Sequence, residues 1–466
     1  MRANAGPIGA DILFTLAGYG VLNAIGFIRA SVSDWVAAVG LSFLAGVSWV
    51  TTITITLLTV GVPLRLPAFV AVSLVTAVAG LAARREWLAM SWPRRVAFGG
   101  IRSRVRGLPW QAWIAVPTLV AFAVFAVSGA YMARVRPLTE WDSWSIWSRK
   151  AEMLFYTGNL TKDFFAAHVY AFMHPDYPIL IPVFESIEYR AMGTIDTRAI
   201  HLQFWLLLIA FTLAIIYLGF RRGTLFEWLP LGVLAAIVPA VNTQMLTAYA
   251  DIPLALFLAL GVLLLGEWLT TRDNRTLCVS TLMLIGAANT KNEGLMAAAI
   301  VFVVAGIVTL LGARRGEVRQ LVFAAAAFVV AILPWRIWLS VEGIHGDISL
   351  TKGFDVSYLS GRADRVWPSV KGLYAQLTDQ GNWLYVVPLA GALALVCLLI
   401  RGRRSLAAFY LASGALAFAA LVWVYWISPT APIDFYLATS AYRVVAVIAA
   451  VSFAALLQLS EPTPDE

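Results

Sequence analysis

The sequence predicts an all-α integral membrane protein with about thirteen transmembrane helices. Of its 466 residues, 60% are hydrophobic and only 13% are charged, whereas soluble domains carry about 25% charged residues. Apolar runs of about 20 residues recur along the whole chain, and such a run is long enough to cross a bilayer. These runs show no polar–apolar alternation, so we expect helices and not the strands of a closed barrel.

The predicted spans are distributed over the whole chain. They lie near residues 9–28, 37–60, 66–83, 112–132, 201–219, 228–245, 252–269, 276–289, 295–311, 321–340, 383–400, 406–427 and 441–459. Several of these runs are short or contain Gly or Pro, residues that weaken or bend a helix interior. We therefore expect the observed helix limits to differ from these by a few residues.

Arginine is concentrated in short loops between the spans, and loops of this kind face the cytoplasm. The segment 84–107 holds seven arginines and one glutamate. The other basic loops contain Arg221 and Arg222, Arg272 and Arg275, Arg314, Arg315 and Arg319, and Arg401, Arg403 and Arg404. The predicted outer loops then lie near 133–200, 246–251, 290–294, 341–382 and 428–440, with the N-terminus outside and the tail Glu461–Glu466 inside.

The composition also excludes several classes of protein. The net charge of +8 is explained by cytoplasmic loops beside anionic lipid, so we expect contact with membrane lipid and no nucleic-acid partner. Cys278 and Cys397 lie in apolar runs, as buried apolar residues do, and predict neither a disulfide nor a metal site. The chain has no phosphate-binding loop of the Walker type and no nucleophile elbow, so ATP hydrolysis is not expected.

Two carboxylates, Glu140 and Asp142, lie among three tryptophans where the first long outer loop begins. The apolar residues that follow from Trp144 predict an amphipathic helix of about four turns at the membrane interface. A carboxylate held in a pocket of low dielectric constant can act as a general base near neutral pH. We therefore interpret Asp142 as a candidate catalytic base; the alternative is that Asp142 only caps a helix that starts at Ser143.

Two further acidic segments border apolar runs on the outer side. The prolines of His174-Pro175-Asp176-Tyr177-Pro178 impose an extended path, so His174 and Asp176 either point into a pocket or form a polar turn at the membrane surface. Residues 164–182 predict a second interfacial element, broken at His174-Pro175. Asp251 precedes Pro253 at the start of an apolar run, which is typical of a helix N-terminus. Asp251 is therefore either an N-cap or a second acid aimed at the site.

Basic residues on the outer side need an explanation, because arginine and lysine favour the cytoplasmic side. Lys291 and Glu293 lie in a polar segment between two apolar runs, where they form a surface ion pair or bind a phosphate at headgroup level. Arg336 ends one span, and Arg443 begins the last one. We expect these arginines, with Arg362 and Arg365 of the 341–382 loop, to contact lipid headgroups or a phosphate leaving group.

The order of these motifs resembles the GT-C superfamily of membrane glycosyltransferases. A basic cytoplasmic loop and a span precede an outer loop that opens with acids and an interfacial helix. An HPxYP segment and the Lys291-Asn292-Glu293-Gly294 motif follow. The similarity covers about residues 112–459 and extends to bacterial relatives of the protein O-mannosyltransferases and the lipid A aminoarabinose transferases. Residues 1–110 are then additional N-terminal helices with a basic loop, and residues 111–466 are the GT-C-like catalytic domain.

The resemblance implies transfer of a sugar from a polyprenyl-phosphate carrier to a hydroxyl of a glycan, glycolipid or protein, with inversion, at the outer face of the plasma (inner) membrane. It assigns Asp142 as the base with Glu140 as its neighbour, and Lys291 and Arg443 as ligands of the carrier phosphate. Members of the family often have two adjacent acids, whereas Trp141 separates the acids here, so the choice between them stays open. A divalent cation could bridge Asp142, Asp251 and the phosphate, although no ligand spacing demands one.

Two functions from other classes stay open on the same residues. A transporter or flippase of lipid-linked saccharides would use a similar basic and aromatic outer surface without transferring a sugar. Transporters often show paired repeats and broken helices at the bilayer midplane, and the sequence shows no clear pairing of its spans. The third candidate is a non-catalytic assembly partner of a cell-envelope enzyme.

Overall fold

The computed structural model describes residues 2–90, 110–312, 315–429 and 432–461. Within these ranges the chain is all-helical, as predicted, with 84% of residues in helices and no strands. Ten described helices are long and apolar enough to cross a membrane, or eleven if one bent pair counts as a span. Two predicted spans, near 276–289 and 383–400, correspond to shorter helices of 17 and 12 residues.

The α-helices of the described residues are α1 (Arg2–Ile25), α2 (Val32–Ala37), α3 (Val39–Thr59), α4 (Leu66–Ala83), α5 (Trp110–Val135), α6 (Ser148–Thr157), α7 (Lys162–Ala166), α8 (Leu180–Met192), α9 (Thr197–Arg222), α10 (Leu225–Ile237), α11 (Pro239–Met245), α12 (Asp251–Thr271), α13 (Asn274–Thr290), α14 (Asn292–Leu311), α15 (Val318–Glu342), α16 (Val356–Ser360), α17 (Val366–Leu377), α18 (Gln380–Trp383), α19 (Val386–Cys397), α20 (Arg404–Ile427), α21 (Ile433–Val444) and α22 (Ala446–Leu459).

These helices form two compact units, each built from separate stretches of the chain. The first comprises Met1–Val50, Arg65–Leu138 and Ile187–Ala248, and the second comprises Thr51–Leu64, Thr139–Ser186 and Tyr249–Glu466. The functional division that we predicted at residue 110 stays a prediction.

In the first unit, α1 packs closely on α4, and α9 packs on α5 and α10. Gly20 and Gly80 allow the first contact, because a Cβ atom at position 80 would lie 2.2 Å from the carbonyl oxygen of Gly20. Small residues permit such close backbone approach between membrane helices. The predicted span near 228–245 is the bent pair, in which α10 and α11 meet at an angle of 54°.

The second unit is organised around α12, which packs against α13 and α22. In the apolar window of α12, 89% of the residues are buried by protein, so this helix has little contact with lipid. Polar side chains add interhelical hydrogen bonds: Ser280 Oγ donates to the carbonyl of Gly261 at 2.7 Å, and Gln458 Nε2 donates to that of Leu263 at 2.8 Å.

The helix predicted after Trp141 is present, but its first part is a π-helix over Ser143–Trp147 that continues into α6. It packs against protein through Trp147, Ala151 and Leu154, which are buried. The predicted break in the following segment is also present. A short 3-10 helix ends at Met173, His174 adopts a left-handed backbone with φ of 49°, and α8 begins at Leu180.

Some predictions lie outside the described residues. They concern most of the basic loop over 84–107, including Arg94, Arg95, Arg102, Arg104 and Arg106, as well as Arg314 and the tail after Glu461.

Candidate functional site

Five predicted site residues from separate parts of the chain meet in one ionic cluster of the second unit. Lys291 Nζ lies 2.7 Å from Asp251 Oδ1 and 3.1 Å from Glu293 Oε1. Arg443 Nη1 donates to Asp142 Oδ2 and lies 3.9 Å from Asp251 Oδ2. Asp251 therefore connects the two cations, and we call these five residues the ionic cluster.

The helix ends of the second unit place these side chains together. Asp251 is the first residue of α12, and Glu293 lies in the first turn of α14. Lys291 occupies an extended break between α13 and α14, with φ of −158° and ψ of 157°. Gly294 lets the two helices approach, because a Cβ atom at this position would lie 2.1 Å from the carbonyl oxygen of Ala287. Acidic residues at helix N-termini are also favoured by the helix dipole.

The burial of Lys291 excludes the alternative of a surface ion pair. Lys291 is 6% exposed, and Asp251 is 3% exposed. Burial is the largest single effect and lowers the pKa of Lys291, but the charges of Asp251 and Glu293 outweigh it and raise that pKa above its ordinary value. Lys291 is therefore an ammonium ion at neutral pH. With two cations and three carboxylates, the ionic cluster carries one net negative charge.

Asp142 does not act as the helix cap that we considered. Its backbone is already helical, and its side chain makes no capping hydrogen bond. The carbonyl oxygen of Glu140 accepts from the backbone of Ser143 at 3.1 Å and of Trp144 at 3.4 Å. The side chain of Asp142 is thus available to Arg443. The backbone that follows Asp142 is the π-helix over Ser143–Trp147, and short π-helical turns are frequent at functional sites.

Arg443 lies in the last turn of α21. Its side chain contacts aromatic rings as well as carboxylates. Its guanidinium carbon lies 4.5 Å from the ring centroid of Tyr249 and 5.7 Å from that of Tyr442. Nη2 donates to the carbonyl of Thr439 at 3.1 Å. Among the described residues, the buried Nε has no hydrogen-bond partner, so one donor of this side chain is still available.

Asp176 and Arg336, which we also predicted, are joined through Asn292, and His174 has a separate partner. Asn292 Nδ2 donates to Asp176 Oδ2 at 2.7 Å, and Arg336 Nη2 donates to Asn292 Oδ1 at 2.7 Å. His174 Nδ1 lies 2.7 Å from Asp347 Oδ2. The segment is therefore held by specific partners and is not a simple polar turn. We call Asp176, Asn292 and Arg336 the amide network, because the side-chain amide of Asn292 is hydrogen-bonded to the other two residues.

The ring of Tyr177 connects the two groups. It stacks on the His174 ring at 4.7 Å between centroids and on the Trp147 ring at 5.8 Å. Lys291 Nζ lies 5.7 Å from the centroid of the same ring, a distance at which a cation and a ring attract each other. The sequence placed Tyr177 in a motif but did not single it out, because an aromatic residue near a membrane has many ordinary roles.

Arg362 and Arg365, which we expected to contact lipid headgroups or a phosphate leaving group, donate to backbone carbonyls. Arg362 Nε donates to the carbonyl of Trp426 at 3.4 Å, and Arg365 Nε donates to that of Tyr425 at 3.2 Å. Arg362 Nη2 also donates to the carbonyl of Ser428. These carbonyls lie at the C-terminal end of α20, where cations are favoured by the helix dipole.

No metal site is apparent from the side chains. Within the described ranges, no three residues of the types His, Cys, Asp and Glu come together in an arrangement that would hold a metal ion. The carboxylates of the ionic cluster are instead directed at Lys291 and Arg443.

The amide network leads to a prediction about stability. We expect Asn292→Ala to lower the free energy of unfolding by about 1–3 kcal/mol, because Asp176 and Arg336 each lose a partly buried hydrogen-bond partner. Thermal unfolding in detergent, followed by circular dichroism, measures this loss. Asn274→Ala is a matched control, since Asn274 is exposed and is the first residue of α13. An equal effect of both variants would contradict a specific role for Asn292.

Comparison of the chain with protein-family models, curated proteins and solved structures found no match. The resemblance to the GT-C superfamily therefore stays a prediction, and the functional argument depends on the side chains described above.

Proposed function

We propose that the protein is a membrane glycosyltransferase that moves a monosaccharide from a polyprenyl-phosphate carrier to a hydroxyl of a cell-envelope glycan, glycolipid or protein. One observation carries this proposal. Asp142 is paired with Arg443, and Asp251 connects Arg443 to Lys291, so the acid and both cations belong to one cluster. A carboxylate and two buried cations at the ends of apolar helices suit a substrate that combines a hydroxyl, a phosphate and a lipid.

The chemistry needs two functions at one place. Displacement at the anomeric carbon requires a base for the attacking hydroxyl and charge stabilisation for the departing phosphate. In this proposal Asp142 accepts the hydroxyl proton, and Lys291 and Arg443 bind the phosphate. The bond from the anomeric carbon to the phosphate oxygen breaks as the bond to the acceptor oxygen forms, with inversion at that carbon.

The ion pairs of the free protein imply competition during binding. Arg443 is bonded to Asp142, so the phosphate of the donor must replace that carboxylate on the guanidinium. The replacement would release Asp142 for the acceptor hydroxyl. Arg443 Nε is buried and has no hydrogen-bond partner among the described residues, so it is a further donor for the phosphate once the donor is bound.

The proposal also assigns a side of the membrane. The positive-inside rule places the loops that carry Asp142, Asp251, Lys291 and Arg443 on the outer face of the plasma (inner) membrane. Donors that cross the membrane on a polyprenyl carrier are presented at that face.

A transfer assay tests this function. The protein is purified, placed in liposomes with a panel of polyprenyl-phosphate sugars and envelope acceptors, and assayed for released polyprenyl phosphate. We expect release with at least one donor and none with Asp142→Asn. Mass spectrometry of glycans and glycolipids from cells with and without the protein then identifies sugar and acceptor. If no donor is consumed and the two cell types have identical glycans, the proposal fails.

A transporter of lipid-linked saccharides is the second candidate, because the first unit contains a broken span between α10 and α11. The same unit contains two acids, the half-buried Asp11 and the buried Glu188, which both accept from Gln203 Nε2 at 3.2 Å. Broken helices and buried acids are typical of transporters. Movement of a fluorescent lipid-linked saccharide across liposomes, without release of its phosphate, would favour this candidate over the transferase.

A further inference from the structure

Lys150 is a buried cation that the proposed chemistry does not yet use. The residue is 0% exposed and lies in α6. Its Nζ donates to the carbonyl of His174 at 2.7 Å. Among the described residues, no carboxylate lies within ion-pair distance of it. A lysine in such a place is costly, because a buried charge without a counter-ion is strongly disfavoured.

The ring of Tyr177 lies close both to Lys150 and to Lys291 of the ionic cluster. Lys150 Nζ lies 5.8 Å from the centroid of the Tyr177 ring, and Lys291 Nζ lies 5.7 Å from the same centroid. The two ammonium groups are therefore at most about 12 Å apart, a distance at which charges in a protein interior still interact. Lys150 Nζ also lies 5.8 Å from the ring of Trp147, which stacks on Tyr177.

The charged groups around Lys150 are few. The HPxYP segment contributes Asp176 and His174, and His174 is paired with Asp347. On its own helix, Arg149 and Glu152 are paired with each other at 3.5 Å. Burial lowers the pKa of Lys150, the charge of Asp176 opposes this, and the resulting pKa is about 7. Lys150 thus changes its charge near neutral pH.

We propose that Lys150 is a positioning residue of the donor site, whose ammonium group, acting through the Tyr177 ring and the His174 carbonyl, makes the site accept an anionic lipid phosphate. This inference rests on the proposed function. The ionic cluster has one net negative charge, which disfavours a second anion. A protonated Lys150 compensates that charge and fixes the HPxYP segment beside it.

The proposal predicts how donor binding changes with pH. Below pH 7 Lys150 is charged and supports the donor phosphate, whereas above pH 7 the charge is lost. We expect the KM for the donor to rise about tenfold between pH 6 and pH 8.5, the size expected for one charge at this distance. The turnover number at saturating donor changes little, because Lys150 does not touch the reacting atoms.

Two substitutions of Lys150 distinguish an effect of its charge on donor binding from an effect on folding. Lys150→Met removes the charge, so we expect a high donor KM at pH 6 and no further rise at pH 8.5. Lys150→Arg keeps a charge at both values, so we expect a low KM that does not rise. Lys162→Met is the matched control, because Lys162 is an exposed lysine of the same outer segment, and its profile should equal that of the wild type.

A second measurement does not depend on activity. Because the folded pKa of Lys150 lies below the unfolded value of 10.5, the unfolded chain binds more protons between pH 7 and 10.5, and the stability of the wild type rises with pH there. We expect Lys150→Met to be more stable than the wild type at pH 6, and we expect this advantage to shrink steadily as the pH rises from 7 to 10.5.

Each outcome decides the inference. Equal pH profiles of the wild type and Lys150→Met would overturn it while transfer itself continues, which leaves the proposed function intact. If Lys150→Met does not fold, the affinity of the wild type and of Lys150→Arg for polyprenyl phosphate is measured at pH 6 and 8.5. A loss of affinity at pH 8.5 in the wild type alone supports the proposal. An equal change of affinity in both proteins contradicts it.

Discussion

Replacing Asp142 by Asn is expected to lower the rate of sugar transfer by about 10²–10⁴-fold, the usual contribution of a general base. The amide cannot take the proton of the acceptor hydroxyl. Its oxygen can still accept from Arg443, so the change in the free energy of unfolding should stay below about 2 kcal/mol. Initial rates of polyprenyl phosphate release and thermal unfolding in detergent measure the two effects separately.

Glu140→Gln is the matched control for this variant. Glu140 lies two residues away, and its backbone carbonyl supports the start of the helix, which the substitution does not alter. We expect Glu140→Gln to keep most of the activity. An active Asp142→Asn with an inactive Glu140→Gln would transfer the role of base to Glu140, and activity in both variants would refute the mechanism.

The second large effect is expected from Lys291→Ala. The substitution leaves Asp251 and Glu293 without their shared cation, and removal of one partner from a buried ion pair costs about 3–5 kcal/mol. Urea or thermal unfolding in detergent measures this loss. We also expect weaker binding of the donor than of the acceptor, since only the donor carries a phosphate.

A paired variant distinguishes the two causes. Lys291→Met combined with Asp251→Asn removes both charges of the closest pair, so we expect it to regain at least half of the lost stability. Donor binding should stay weak, because the cation is still missing. Recovery of donor binding together with stability would mean that Lys291 serves the fold alone, as would an equal loss of donor and acceptor binding in Lys291→Ala.

The composition and the apolar runs were sufficient to predict the helical membrane fold, because lipid allows few alternatives for the backbone. The sequence also identified the members of the ionic cluster. Asp142, Asp251, Lys291 and Arg443 stood out because ionisable residues beside apolar runs are costly. Their convergence was not predictable in detail, since the pairing of Asp142 with Arg443 joins positions 301 residues apart in the chain.

Short-range rules left alternatives open that the structure decides. The capping rule favours Asp before a helix, but here the helical backbone already begins at Trp141, one residue before Asp142, and the carboxylate makes no capping hydrogen bond. The loop between α13 and α14 is short and polar, which suggested a surface ion pair, yet tertiary packing buries it. Asn292 was missed because an amide carries no charge, and only the structure shows that it bridges Asp176 and Arg336.

The π-helix over Ser143–Trp147 limits the insertions and deletions that this segment can accept. A single π-helical turn contains one residue more than an α-helical turn, and each residue of an α-helix rotates the chain by about 100°. Loss of a single residue here would restore a regular helix and rotate Asp142 away from Arg443. Surface loops usually tolerate insertions and deletions, but we expect the segment between Asp142 and α6 to tolerate neither.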